Sequence, residues 1–277
     1  MAQSVCNGIQ IAFDDTEFGS PKTPIVFIHG NTLNRSMWDK QKQALRAANR
    51  IVTYDLRGHG GSEKPITGYT REEEVKDLKD LLDVLRAPKS HLVGLSRGAG
   101  IALSFAAAHP NMVSSVFAMS PSFDHDRLMP EFANQRLDIM ATLRGEGLRV
   151  AKEKWLSLPL FAPALENEEI SARIDQLLLS YTGAHWLDEK PPKDPSLGDD
   201  VHSITARTLI MVGEREMPGY HACADELVEN IPDSVKKVAP GVGHLISLEA
   251  SDETTAAIET FILGQSSGVG SVEGVSH

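Results

Sequence analysis

One segment constrains this chain more than any other: His91-Leu92-Val93-Gly94-Leu95-Ser96-Arg97-Gly98-Ala99-Gly100. Its opening residues read as a buried strand. From Ala99 to Ala108 nearly every residue is small and apolar, as expected of a helix at the centre of a sheet. Between strand and helix lies Gly-x-Ser-x-Gly, a turn so sharp that it holds the serine in a strained conformation with its hydroxyl exposed. Side chains at Gly94 and Gly98 would collide with neighbouring backbone, so both positions demand glycine. Five such residues alone are a weak signal. The strand before them and the helix after them give the pattern its meaning.

Around this turn, short runs rich in Val and Ile alternate with segments of helical period, and no internal repeat is visible. Asn7-Gly8 offers a type I′ turn between two opening strands. Further strands are expected at Ile25 to Ile28, Ile51 to Tyr54, Val113 to Met119, Thr208 to Val212 and Val235 to Ala239. In Arg71 to Arg86, Val75, Leu78, Leu81, Leu82 and Leu85 form the apolar stripe of a helix lying on a sheet. Thr254 to Ile262 reads as a last helix. The expected class is α/β, with a mostly parallel central sheet covered by helices on both faces.

The alternation breaks once. Residues 124–205 offer no convincing strand, only helical stretches near Glu131–Arg144, Glu146–Ser157 and Asn167–Tyr181, then a loop from Lys190 to Pro195. This interval reads as a helical cap inserted into the core, the alternative being a surface excursion. The expected division is therefore core 1–123, cap 124–205, core 206–264 and a disordered tail 265–277, rich in Gly, Ser and Val.

Acyl-transfer chemistry needs more than an exposed serine. Negative charge developing on a carbonyl oxygen must meet preorganised donors. The backbone N–H of Arg97, next to the serine, supplies one, and that of Asn31, in the loop His29-Gly30-Asn31-Thr32 after an early strand, is the candidate for the other. His29 itself reads as a structural residue. The Gly-rich turn Asp55-Leu56-Arg57-Gly58-His59-Gly60-Gly61-Ser62 lacks the Lys and Ser/Thr of a phosphate-binding loop and also reads as structural. His244, in the glycine-lined loop Pro240-Gly241-Val242-Gly243-His244, is the best general base in the chain. Its orienting carboxylate is expected at Glu216, in Gly213-Glu214-Arg215-Glu216, with Glu214 as the rival nearer the strand. Asp124, after an earlier strand, is an alternative acid. Order along the chain is then Ser, acid, His.

A net charge of -11 and an isoelectric point near 5.4 disfavour nucleic-acid or membrane-surface partners. No apolar run is long enough to span a membrane, and Met1 to Cys6 lacks the regions of a secretory signal. Cys6 and Cys223 suggest neither a disulfide framework nor a metal site. The expected compartment is cytoplasmic. No cofactor or metal is expected, and the sequence is silent on oligomeric state.

Together the His-Gly loop, the Asp-x-Arg-Gly-His-Gly-x-Ser turn, the Gly-x-Ser-x-Gly elbow and the late Gly-x-Gly-His loop resemble the α/β-hydrolase superfamily over nearly the whole chain, apart from the tail. The stretch Gly213 to Ile231 looks most like small bacterial esterases and enol-lactonases of the 3-oxoadipate type. The resemblance implies a Ser96–Glu216–His244 triad, with the amides of Asn31 and Arg97 as the oxyanion hole. Most relatives carry Asp where this chain has Glu216. The implied function is hydrolysis of a small-molecule carboxylic ester or lactone through an acyl-enzyme on Ser96. The rivals are hydrolysis of a carbon–carbon bond in a dicarbonyl compound, and ligand reception with vestigial activity. Trp155, Phe161, Tyr181 and Trp186 in the cap are candidate pocket residues.

Overall fold

The computed structural model describes residues 2–188 and 201–264. The chain opens with β1 (Ala2–Cys6) and β2 (Ile9–Asp15), paired antiparallel around Asn7 and Gly8. Both turn residues have positive φ, 48° and 78°, as a type I′ turn requires. β2 then pairs antiparallel with β4 (Ile51–Tyr54), and every remaining pairing is parallel. The other strands are β3 (Ile25–Ile28), β5 (Ser90–Leu95), β6 (Val113–Met119), β7 (Arg207–Gly213) and β8 (Ser234–Ala239). They form an eight-stranded sheet of order β1-β2-β4-β3-β5-β6-β7-β8.

Side chains of the central strands alternate between two cores, because successive Cβ atoms of a strand point to opposite faces. Val26, Ile28, Leu92, Val116 and Ala118 enter one core, where α2 (Arg71–Val84), α3 (Arg97–Ala108) and α9 (Pro218–Asn230) lie. Phe27, Val93, Leu95, Phe117 and Met119 enter the other, shared with α1 (Asp39–Leu45) and α11 (Ser251–Leu263). The expected stripe of α2, from Val75 to Leu85, is buried in the first core. Each fully buried Leu contributes about 1.5–3 kcal/mol relative to exposure. α1 and α9 are additions to what the sequence period suggested.

Between β6 and β7 the described chain is helical. It comprises α4 (His125–Leu128), α5 (Pro130–Glu146), α6 (Leu148–Leu156), α7 (Ala162–Leu165) and α8 (Glu168–Leu179). The expected helical stretches fall on α5, α6 and α8. Gly147, at φ 90°, separates the first two. Asn167 caps α8 by accepting from the N–H groups of Glu169 and Ile170 at 2.9 and 3.1 Å. Trp155, Phe161, Ile174 and Leu177 carry this segment into the second core. The loop Lys190 to Pro195 and the tail 265–277 lie outside the described residues. Cys6 and Cys223 are both buried, and no described helix is long and apolar enough to cross a membrane.

Candidate active site

Ser96 sits between β5 and α3 at φ 54°, ψ −115°, a conformation that costs a non-glycine residue about 1–3 kcal/mol. The surrounding backbone holds it there. Its N–H donates to the Met119 carbonyl at 2.8 Å, and its own carbonyl accepts from Gly100 and Ser122 at 3.0 and 3.2 Å. A Cβ on Gly98 would stand 2.2 Å from the Ile28 carbonyl oxygen, and one on Gly94 would stand 2.4 Å from the Gly98 carbonyl. The glycines are therefore there for close approach of β3, β5 and α3, as the motif demands.

Two loops at the ends of β7 and β8 bring an acid to a histidine. A Cβ on Gly213 would meet the Gly243 carbonyl oxygen at 2.2 Å, so the loops touch at their bases. Glu216 and His244 are both buried, and Nδ1 of His244 lies 2.7 Å from Oε2 of Glu216. The other oxygen, Oε1, accepts the Met217 N–H at 2.9 Å. Burial pushes the Glu216 carboxyl up, but the His244 charge and hydrogen bond, with the Met217 amide, hold it below the usual value. Nδ1–H donation to Glu216 fixes the tautomer and leaves Nε2 as the basic nitrogen. Glu249, in α10 (Ile246–Glu249), accepts from the Gly243 and Leu245 N–H groups, each at 2.8 Å. It thereby grips the backbone on both sides of His244.

The rival acids are engaged elsewhere. Glu214 accepts the Gly241 N–H at 2.8 Å, shaping the histidine loop from below. Asp124 pairs with Arg127 at 2.7 Å. His29 donates from Nδ1 to the Gly30 carbonyl at 2.8 Å and accepts the Leu56 N–H at Nε2 at 2.9 Å. Burial drops it to about 4, so it is a neutral structural ring. His59 is bound in the same manner, between the Arg57 carbonyl and the Thr32 N–H. In the turn beginning at Asp55, that carboxylate accepts the Arg35 and Gly61 N–H groups at 2.7 Å each, and Ser62 donates to the Asp55 carbonyl at 2.6 Å.

Ser96, His244, Asn31 and Arg97 line one cleft enclosing about 880 Å³ of empty space, its open mouth included. Glu216 stands behind His244. Phe132, Met140, Trp155, Leu160, Phe161 and Trp186, all from the segment between β6 and β7, form an apolar wall. Trp155 also donates from Nε1 to the Thr32 hydroxyl at 3.0 Å, tying the wall to the loop that bears Asn31. Of the aromatic residues singled out in the sequence, Tyr181 is set back. Its hydroxyl meets Nδ1 of His185, which does line the cleft. Arg71, Glu74, Arg136 and Tyr220 line it too, and the sequence reading missed them along with His185. None belongs to a motif, and each arrives through packing of distant elements. Among the described residues no group of three or more His, Cys, Asp and Glu side chains is placed to hold a metal ion.

Comparison with known proteins agrees with this architecture. The chain is 26% identical over 264 residues to a putative 2-succinyl-6-hydroxy-2,4-cyclohexadiene-1-carboxylate synthase of Bacillus subtilis (strain 168), covering 89% of this chain and 92% of the relative. It is 22% identical over 252 residues to a carboxylesterase of the same organism, covering 87% and 80%. The enol-lactonase from Burkholderia xenovorans LB400 superposes with a TM-score of 0.80 at 22% identity, covering 95% of this chain and 100% of that one. The profile of the alpha/beta hydrolase family matches residues 25–257, and with its eight-stranded sheet and serine elbow the chain belongs to that family.

Proposed function

We propose that the protein is a serine hydrolase of carboxylic esters or lactones, working through a Ser96–His244–Glu216 triad under a helical cap formed by the described residues within 124–205. The observation that carries this reading is the buried 2.7 Å bond from His244 Nδ1 to Glu216, on the same cleft as a serine held at positive φ. Nε2 of His244 takes the Ser96 proton as Oγ adds to the substrate carbonyl. The amides of Asn31 and Arg97 receive the oxyanion, where the start of α3 adds the positive end of its dipole. When the tetrahedral adduct collapses, the imidazolium gives its proton to the leaving alkoxide and an alcohol departs. Water then adds to the acyl-enzyme, its proton passing to His244 and on to Ser96, and the carboxylic acid leaves. Glu216 stays ionised throughout and stabilises the imidazolium. An esterase and an enol-lactonase among the relatives and neighbours agree with acyl transfer as the chemistry.

Ser96→Ala is the deciding variant. Its turnover of an activated ester is expected to fall about 10⁴-fold or more, with the circular dichroism spectrum unchanged. A serine-reactive phosphonate should add a single mass increment to the peptide containing Ser96. Labelling elsewhere, with full activity in the variant, would remove the serine from the mechanism.

A further inference from the structure

Thr32 follows the residue whose amide is assigned to the oxyanion, and its backbone is strained. It stands at φ 64°, in the left-handed region that a β-branched side chain rarely enters. Such a conformation is costly and lasts only where the surroundings over-determine it. Three hydrogen bonds do so here. The Thr32 N–H donates to Nε2 of His59 at 3.2 Å, and the Thr32 hydroxyl donates to the Asn31 carbonyl at 2.6 Å. The same hydroxyl accepts the Nε1–H of Trp155 at 3.0 Å, from α6, 123 residues further along the chain. One hydroxyl can hold both bonds, since it has one proton to give and two lone pairs. Thr32 is fully buried and Trp155 is 4% exposed, so neither bond is open to competing water.

Asn31 is thereby gripped from both sides. The peptide that carries its N–H is pinned at the Gly30 carbonyl by Nδ1 of His29 at 2.8 Å, and the next peptide is pinned at the Asn31 carbonyl by Thr32. The first grip comes from the core alone. The second depends on Trp155, because a hydroxyl that accepts a hydrogen bond becomes a stronger donor. The indole is itself fixed, by Phe161 at 5.4 Å and Trp186 at 5.7 Å between ring centroids, and it lines the cleft. The segment between β6 and β7 also covers the other partner of Thr32, for Tyr181 stacks on His59 at 5.2 Å.

We propose that Thr32 and Trp155 are positioning residues of the oxyanion hole, through which the helices between β6 and β7 aim the Asn31 amide. This rests on the reading of that amide as an oxyanion donor. Without the indole bond, the Asn31–Thr32 peptide is free to swing toward a relaxed φ at Thr32, and the Asn31 N–H turns with it. A donor aimed at charge that develops only in the transition state lowers the barrier without tightening substrate binding. Loss of the Trp155–Thr32 bond is therefore felt in kcat. A residue that only walls the cleft would act through KM instead.

Three variants of the full chain separate the hydroxyl and the indole N–H from the side chains that carry them. Thr32→Val keeps the branched shape and loses the hydroxyl, Thr32→Ser restores it, and Trp155→Phe keeps an aromatic ring without the N–H. On 4-nitrophenyl butyrate, Thr32→Val should lower kcat about 10- to 100-fold and change KM by less than about 3-fold. Thr32→Ser should recover most of that loss. Trp155→Phe should lower kcat about 5- to 20-fold, and the double variant should be no slower than Thr32→Val alone, since the indole acts through the hydroxyl. Pentyl trifluoromethyl ketone supplies a readout that packing alone would not move. Ser96 Oγ adds to its carbonyl carbon, the serine proton passes to His244, and the ketone oxygen takes the negative charge. Its Ki should rise in Thr32→Val and Trp155→Phe by the factor that kcat/KM falls. Circular dichroism and Tm check the fold, and Trp155→Phe, which leaves the core loop unaltered, carries the test if Thr32→Val does not fold. Unchanged kcat in either single variant, losses that multiply in the double variant, or losses confined to KM overturn the proposal. A parent protein that the ketone inhibits, with variants whose Ki does not move, overturns this inference alone. A parent that the ketone does not inhibit, with turnover indifferent to Ser96→Ala, overturns the hydrolase reading and this inference with it.

Discussion

Glu216 is only 7% exposed, and a carboxylate taken that far from water keeps its charge only where a partner compensates. The partner is His244, and the remaining oxygen is satisfied by the Met217 amide. The acid sits three residues past Gly213, where the two loops touch. Removing the charge while keeping the shape should therefore mainly lower kcat. Glu216→Gln is expected to lose on the order of 10²–10⁴ in kcat on an activated ester. Asp124→Asn should lose far less, since that carboxylate faces Arg127. Steady-state kinetics of both variants, with folding checked by circular dichroism, decides between them, and a reversed ranking would move the acid to the earlier strand. The residues proposed for the triad, Ser96, His244 and Glu216, could be picked out in the sequence because each stands in a loop whose glycines announce close backbone contact. Arg136 and His185 could not. In the sequence Arg136 is an ordinary residue of a polar helical stretch and His185 one histidine among ten, and only the packing of α5 and the turn at 184–186 against the core turns them inward.

At the scale of elements, the loop from β8 into α10 owes its shape to one side chain. Glu249 accepts two amide protons that flank His244, so the imidazole is aimed by an acid that touches neither the ring nor the serine. Glu249→Ala leaves two N–H groups without their acceptor and lets the loop relax. Activity is expected to fall about 10- to 100-fold, chiefly in kcat, as misplacement of about an ångström does in other sites. A variant with unchanged kcat would mean the glycines alone hold the loop. Most elements were readable from period. β3 to β8 and α2 show the expected alternation or stripe, whereas α1 and α9 did not declare themselves. α1 is short and buries Gln41, a polar residue whose amide nitrogen donates to the Ser247 carbonyl at 3.1 Å and the Ser251 hydroxyl at 3.0 Å. α9 does place Tyr220, Cys223, Ala224 and Leu227 on one face, but it begins Pro218-Gly219, which reads as a turn. The exchange of β3 and β4 in the sheet was likewise invisible. Alternating strands and helices specify parallel pairing, but not which neighbour each strand finds.

Across the whole molecule, the core and the segment between β6 and β7 are joined by buried rings. His59 of the core lies 5.2 Å from the ring of Tyr181 and 5.5 Å from that of His185, while His29 packs against His59 at 5.2 Å. Burial holds His29 at about 4 and keeps His59 and His185 well below the ordinary histidine value. The unfolded chain takes up these protons near pH 6.5, whereas the folded chain refuses them until the pH is much lower. Stability therefore rises with pH through this window and is lost as pH falls from about 6.5 toward 4, by up to about 1.4 kcal/mol per histidine per unit. The contribution of the depressed Glu216 is lost only at still lower pH, below the usual carboxylate value. Thermal unfolding at pH 5 should show a Tm several degrees below that at pH 7, and an equal or higher Tm would contradict the buried, neutral state of these rings. The stitching around Ser96 has a different consequence, for anyone who would graft another segment between β6 and β7. The carbonyl of the serine accepts from Ser122, and the Ser120 N–H is bonded to the Met211 carbonyl of β7. The first residues past β6 are therefore tied to the backbone of Ser96 and not only to the segment that follows them. A splice at Asp124 would exchange only the helices that follow, whereas one made at Ser120 would cut the seam that holds the Ser96 backbone in place.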